Sequence, residues 1–152
     1  MSQTPVDGHY NDDINSFYVE DVCGESDSAY RFAYASILDQ QQAFDATKAA
    51  YSRAIDHLSE LKGHSEEQIR LFLIRSIWQD IQDQHYKPAN SPSSPLGQKL
   101  GKLPLLARAV LFAVDVCGCT TEEAKAAFNC DDEKLRSLLV ESRKFLVKEW
   151  GV

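Results

Sequence analysis

Several things are scarce in this chain of 152 residues. No apolar run approaches the ~20 residues that a membrane-spanning helix needs, so no span is expected. The amino terminus lacks a basic segment followed by an apolar one, and no signal peptide is expected. Cysteine appears four times, at 23, 117, 119 and 130, without a C-x-x-C framework. Free thiols in a reducing compartment, and so a cytoplasmic protein, are the expectation. The alternative is a metal site on Cys117, Cys119 and Cys130, although the C-x-C spacing sits inside a turn with no histidine near it.

Catalytic patterns are missing as well. There is no Ser/His/Asp order, no phosphate-binding glycine loop and no metal-ligand spacing. His9, His57, His64 and His85 are scattered along the chain, and Asp45 and Asp56 stand too far apart on one helix to act together. Glu122-Glu123 is explained by helix capping. No enzyme activity, cofactor or metal is expected. Positive charge is also short: 16 Lys and Arg face 23 Asp and Glu, a net charge of −7. Residues 1–98 contribute −8 and residues 99–152 contribute +1. Such a balance disfavours an independent nucleic-acid binder, which gains most of its affinity from phosphate contacts.

What is present is helical periodicity, and the expected fold class is all-α. Residues 1–27 are polar and acidic and read as a flexible leader, with a short helix or a docking segment around Ile14–Val22 as the alternative. The first unit, 28–87, contains three helices. Tyr30, Ala33, Tyr34 and Ile37 share one face; Phe44, Thr47, Tyr51, Ala54, Ile55, Leu58 and Leu61 form the second pattern; Ile69, Phe72, Leu73, Ile77, Trp78 and Ile81 form the third. Gly63 marks a stop, and Ser65 with Gln68 a capping box. Residues 88–102, rich in Pro, Ser and Gly, read as a linker.

The second unit, 103–152, reads as three helices joined by two short turns. Pro104 opens the first, along which Leu106, Ala109, Val110, Val114 and Val116 recur. Gly118 suits a left-handed cap. Thr120 with Glu123 is a capping box for a short helix bearing Ala124, Ala127 and Phe128. Asp131 caps the last helix, whose face is Leu135, Leu138, Leu139, Ser142, Phe145 and Leu146. A short helix, a tight turn and a longer helix form the helix-turn-helix arrangement.

The residues Leu103, Pro104, Arg108, Gly118, Thr120, Glu122, Glu123, Ala124, Ala127, Leu135, Leu139, Arg143 and Leu146 resemble region 4 of the sigma-70 superfamily. Ala43, Asp45, Tyr51, Arg53 and Ala54, with Phe72, Leu73, Arg75, Ile77, Gln79 and Asp83, resemble its region 2. Their order and the linker between them are those of the extracytoplasmic-function type. The resemblance implies contacts with promoter DNA through Arg70, Arg75, Lys134, Arg136 and Lys144, and recruitment of RNA polymerase core.

The charges depart from that pattern. Asp131-Asp132-Glu133 opens the last helix, Leu138 stands where a basic residue is common, and Glu141 lies outward. The chain is therefore most similar to the sigma-like domain of PhyR-type general stress response regulators. In those bacterial regulators such a domain captures an anti-sigma factor (NepR type) and frees the working sigma factor. The expected partner is a small, basic, partly disordered anti-sigma protein, contacted through Phe72, Trp78, Leu138 and Glu141. The alternative is an active extracytoplasmic-function sigma factor that opens promoters with polymerase. A receiver domain follows the sigma-like part in PhyR-type regulators, so the present sequence is expected to be an isolated domain or a stand-alone relative.

Overall fold

The computed structural model describes residues 26–57, 60 and 63–150. The leader, including Ile14–Val22, lies outside the described residues apart from the two that begin the first helix. Among the described residues there are seven α-helices and no strand: α1 Ser26–Ile37, α2 Gln40–Asp56, α3 Glu66–Gln82, α4 Pro95–Leu100, α5 Leu105–Leu111, α6 Thr121–Phe128 and α7 Asp132–Trp150. A single π-helical turn, Phe112–Val116, continues α5. None of these helices is long and apolar enough to cross a membrane.

Capping fixes most of the boundaries. Asp39 accepts from the Gln42 amide at 2.9 Å and starts α2. Ser65 and Gln68 form the reciprocal capping box of α3, and Thr120 and Glu123 that of α6. Each satisfies donors that a helix start leaves without partners. Asn129, at φ 52 and ψ 53, makes the left-handed turn out of α6. Asp131 then accepts from the Lys134 amide at 2.8 Å. Pro104 precedes α5 as its cap residue rather than occupying the first helical position.

The core differs from the expected stripes at two places. Along α2 the buried residues are Ala43, Ala46, Ala50 and Ala54, while Phe44 and Ile55 are 54% and 45% exposed. The larger side chains look like the packing face by hydrophobicity. However, α2 lies against both α1 and α3, and alanines at that seam leave room for close helix approach. The second difference is the π turn. It was expected to be ordinary helix, with Val116 on the apolar face. The Cys117 amide instead reaches back five residues to Phe112 O at 2.9 Å, and Val116 turns outward. The extra residue per turn shifts every later side chain around the axis.

Helix α1 is surrounded, with Ala29, Phe32, Ala33, Ala35, Ser36 and Ile37 all buried. It packs on α2 and α3 and also on α5 and the π turn. Phe32, Trp78 of α3 and Phe128 of α6 form an aromatic cluster with ring centroids 5.0–6.5 Å apart. One apolar core therefore runs through both the 28–87 and the 103–152 segments. The connecting segment is tied down as well. Ala89 donates to Ile37 O at 2.8 Å, and the Gln42 side chain brackets the Lys87 backbone at 2.8 and 3.0 Å. Leu100 of α4 packs on Ala35 and Leu38.

Candidate functional site

Among the described residues Arg108 is the most buried cation, only 5% exposed. It rises from α5 into the C-terminal end of α1. Its Nε donates to Ala35 O at 2.8 Å, Nη2 to Ser36 O at 2.8 Å and Nη1 to Leu103 O at 2.6 Å. The last carbonyls of a helix have no partner within it and carry partial negative charge, so a guanidinium suits them. Burial pulls the Arg108 pKa down from its ordinary value. The sequence had marked Arg108 only as a matching position of region 4; its role is to join the two halves.

The last helix carries the candidate nucleic-acid face. Leu135, Leu139 and Ser142 are buried, and Leu138, Phe145 and Leu146 are half-buried against Leu103, Ala107 and Leu111. Lys134, Arg136 and Lys144 are exposed, and so are Asp131, Asp132, Glu133 and Glu141. Several cations there already have carboxylates. Arg143 makes a bidentate pair with Asp115 at 2.9 and 2.7 Å, which holds its pKa above the ordinary value. Lys125 of α6 bridges Asp132 at 2.7 Å and Glu122 at 3.0 Å. That lysine keeps the Asp132 carboxyl below its usual range. Lys102 reaches Glu149 at 3.1 Å. Arg136 lines a hollow of about 260 Å³ between α6 and α7 with Thr121, Leu139 and Val140.

On α3 the expected residues part company. Trp78, expected as a partner contact, is 5% exposed and packs inside the aromatic cluster. Arg70 is half-buried and turned towards the 117–120 loop, where it hydrogen-bonds Cys119 and lies beside Gly118. The sequence placed it among the DNA contacts of an active sigma factor. Phe72, half-buried, and Arg75, exposed, do share a surface: a groove of about 770 Å³ between α2 and α3. Leu138 and Glu141 belong to α7 and stand outside that groove.

The groove brings together groups the sequence showed as scattered. His57, His64 and His85 line it with Arg53, Asp80 and Asp83. Asp80, 4% exposed, lies 2.7 Å from Arg53 Nη2 through one oxygen and accepts from it at 2.9 Å through the other. Arg53 also donates to Ser76 at 2.6 Å, and His85 Nδ1 is 3.3 Å from Asp80. Burial, then the Asp80 charge, raises the Tyr86 phenol. The signal in the sequence was the Phe72, Arg75/Ser76, Gln79, Asp83 spacing, one polar flank of α3 at helical period.

Among the described residues no three His, Cys, Asp or Glu side chains are grouped to hold a metal. Cys117 and Cys119 are buried and Cys130 half-buried. Cys117 Sγ donates to Ser28 O at 3.3 Å, a further tie between the halves. Burial first, then Glu123, pushes the Cys119 thiol up to about 11.

No family model and no curated protein matches this chain. Among solved structures it is similar to the sigma factor RpoE from Bartonella quintana, in complex with the anti-sigma factor NepR. The TM-score is 0.66, over 86% of this chain and 94% of that one. The fold is that of a sigma factor. At 14% identity the likeness establishes the helical architecture and leaves the chemistry to this chain's own residues.

Proposed function

We propose that this chain is a sigma-like transcription regulator acting as a mimic. In this reading it captures an anti-sigma factor and releases the working sigma factor, as in partner switching during a stress response. The observation that carries the reading is the charge arrangement on the helix-turn-helix. Three carboxylates open α7, while Lys125 and Arg143 are engaged by Asp132 and Asp115. A DNA reader needs such cations for phosphates, because counterion release supplies most of its affinity. A small basic anti-sigma helix meets the opposite requirement: apolar purchase beside carboxylates. Phe72 in the α2–α3 groove, and Leu138 with Glu141 on α7, are the contacts assigned to it. The complex named for the RpoE structure supports a partner of this kind.

The remaining Arg75, Lys134, Arg136 and Lys144 are the contacts that an active sigma factor would use. Two measurements separate the readings. The purified chain is titrated with a NepR-type anti-sigma protein by calorimetry, and with a 30-base-pair duplex by gel shift at low salt. The mimic binds the first saturably and the second not at all. Micromolar duplex binding with a steep salt slope, together with a stable complex with core polymerase, would overturn it.

A further inference from the structure

We propose that the α7 stripe of Arg136, Val140, Arg143 and Val147, with Val116 beside it, docks an acidic amphipathic helix of a partner protein. The four α7 residues recur at i, i+4, i+7 and i+11, which places them on one side of the helix. Among the described residues six large apolar side chains are exposed, and half of them gather here: Val116 at 40%, Val140 at 41% and Val147 at 56%. The π turn brings Val116 to the stripe, because its neighbour Asp115 holds Arg143 at 2.7 and 2.9 Å. The surface is not flat. Thr121 of α6, Leu139, Val140 and the two arginines line the hollow of about 260 Å³, where one side chain of a partner can anchor. Residues two apart on a helix do not share a face. Leu138 stands two from Arg136 and from Val140, and Glu141 two from Arg143, so the α7 contacts assigned to the anti-sigma factor lie on a different face.

The occupant follows from the charges and from what the valines exclude. Arg143 already holds one carboxylate. Asp115 takes its Nε and Nη2, and a guanidinium with five N–H groups keeps donors for a second acid. Arg136 is exposed one heptad before it, ~10 Å along the axis, which matches carboxylates seven residues apart on a partner helix. Between the two arginines Val140 asks for aliphatic side chains, and Val147 repeats that demand at the far end. Apolar anchors at helical spacing with charged residues beside them describe an amphipathic helix laid into a groove. Duplex DNA fits the stripe poorly. Valines interrupt the cations, and Asp115, Asp132 and Glu133 at its border meet phosphates with like charge. Of these, Asp132 is bridged by Lys125 and Asp115 by Arg143, so neither stands as a lone charge against an acidic partner.

The inference goes beyond the proposed regulatory role and does not rest on it. The test is fluorescence anisotropy on the whole chain with a labelled Leu/Glu peptide helix, its carboxylates one heptad apart, and with the Leu/Lys counterpart. The Leu/Glu peptide is expected to bind saturably, and the Leu/Lys peptide about tenfold more weakly or less. Arg136→Glu, and separately Val140→Ser/Val147→Ser, are expected to weaken Leu/Glu binding about tenfold with the thermal midpoint unchanged, since these side chains are exposed. No binding of the Leu/Glu peptide, equal binding of the two peptides, or unchanged binding in both variants overturns the proposal. Displacement of the peptide by a DNA duplex overturns it in favour of nucleic acid. Loss of the peptide site as the chain self-associates on concentration overturns it in favour of a second copy. Capture of a NepR-type protein is expected to be the same in the wild type and both variants, so this inference and the regulatory reading fail separately.

Discussion

Arg108 illustrates how one side chain serves the fold rather than a ligand. Its three bonds end on backbone carbonyls at the close of α1 and at Leu103, with no carboxylate among them. Arg108→Ala leaves those carbonyls without a donor, a loss of about 3 kcal/mol or more in denaturant unfolding. Arg108→Lys is expected to cost about 2 kcal/mol, since one ammonium cannot span three divergent acceptors. A loss below the error of the denaturation curve in both variants would show that the latch is dispensable. Cys119 is buried beside Arg70 and Glu123. Its raised thiol pKa adds stability that is fully present below the ordinary thiol value and is lost as pH rises through about 11.

At the scale of elements, α2 shows why hydrophobicity alone picks the wrong face. Ala43, Ala46, Ala50 and Ala54 fill the seam, and a larger residue there must push α1 or α3 away. Ala50→Leu is expected to destabilise by roughly 1–3 kcal/mol through overpacking. Ser52→Leu, on the exposed back of the same helix, should change stability by less than about 0.5 kcal/mol. Equal effects at the two sites in thermal unfolding would mean that the alanine face is not tightly packed. The capping boxes of α3 and α6 were legible residue by residue, because a cap involves only neighbours within four positions. The π turn was not legible: its extra residue is selected by how Ala113 and Cys117 must meet the core, not by local propensity.

At the scale of the whole molecule, the halves share the Phe32, Trp78 and Phe128 cluster and the Arg108 and Cys117 ties. Units that share one core unfold together. A single calorimetric transition is therefore expected, with calorimetric and van't Hoff enthalpies equal. Two separated transitions would mean that the 28–87 and 103–152 segments are thermodynamically independent. Parting the halves would break that shared core. Opening would expose Trp78 and Phe128 to water, at a cost of the order of 2–3 kcal/mol for each large side chain.

The sequence by itself determined the all-helical class, the positions of the caps and turns, the shortage of cations and the acidic opening of α7. All of these rest on composition or on interactions within one helical turn. Tertiary structure alone decided that Trp78 is buried and Arg70 turns to the 117–120 loop, that alanines form the α2 seam, and that three histidines line one groove. It also made Arg108 a latch between the halves. Those outcomes depend on which helix lies beside which, and side chains far apart along the chain carry no mark of their meeting until the helices have packed.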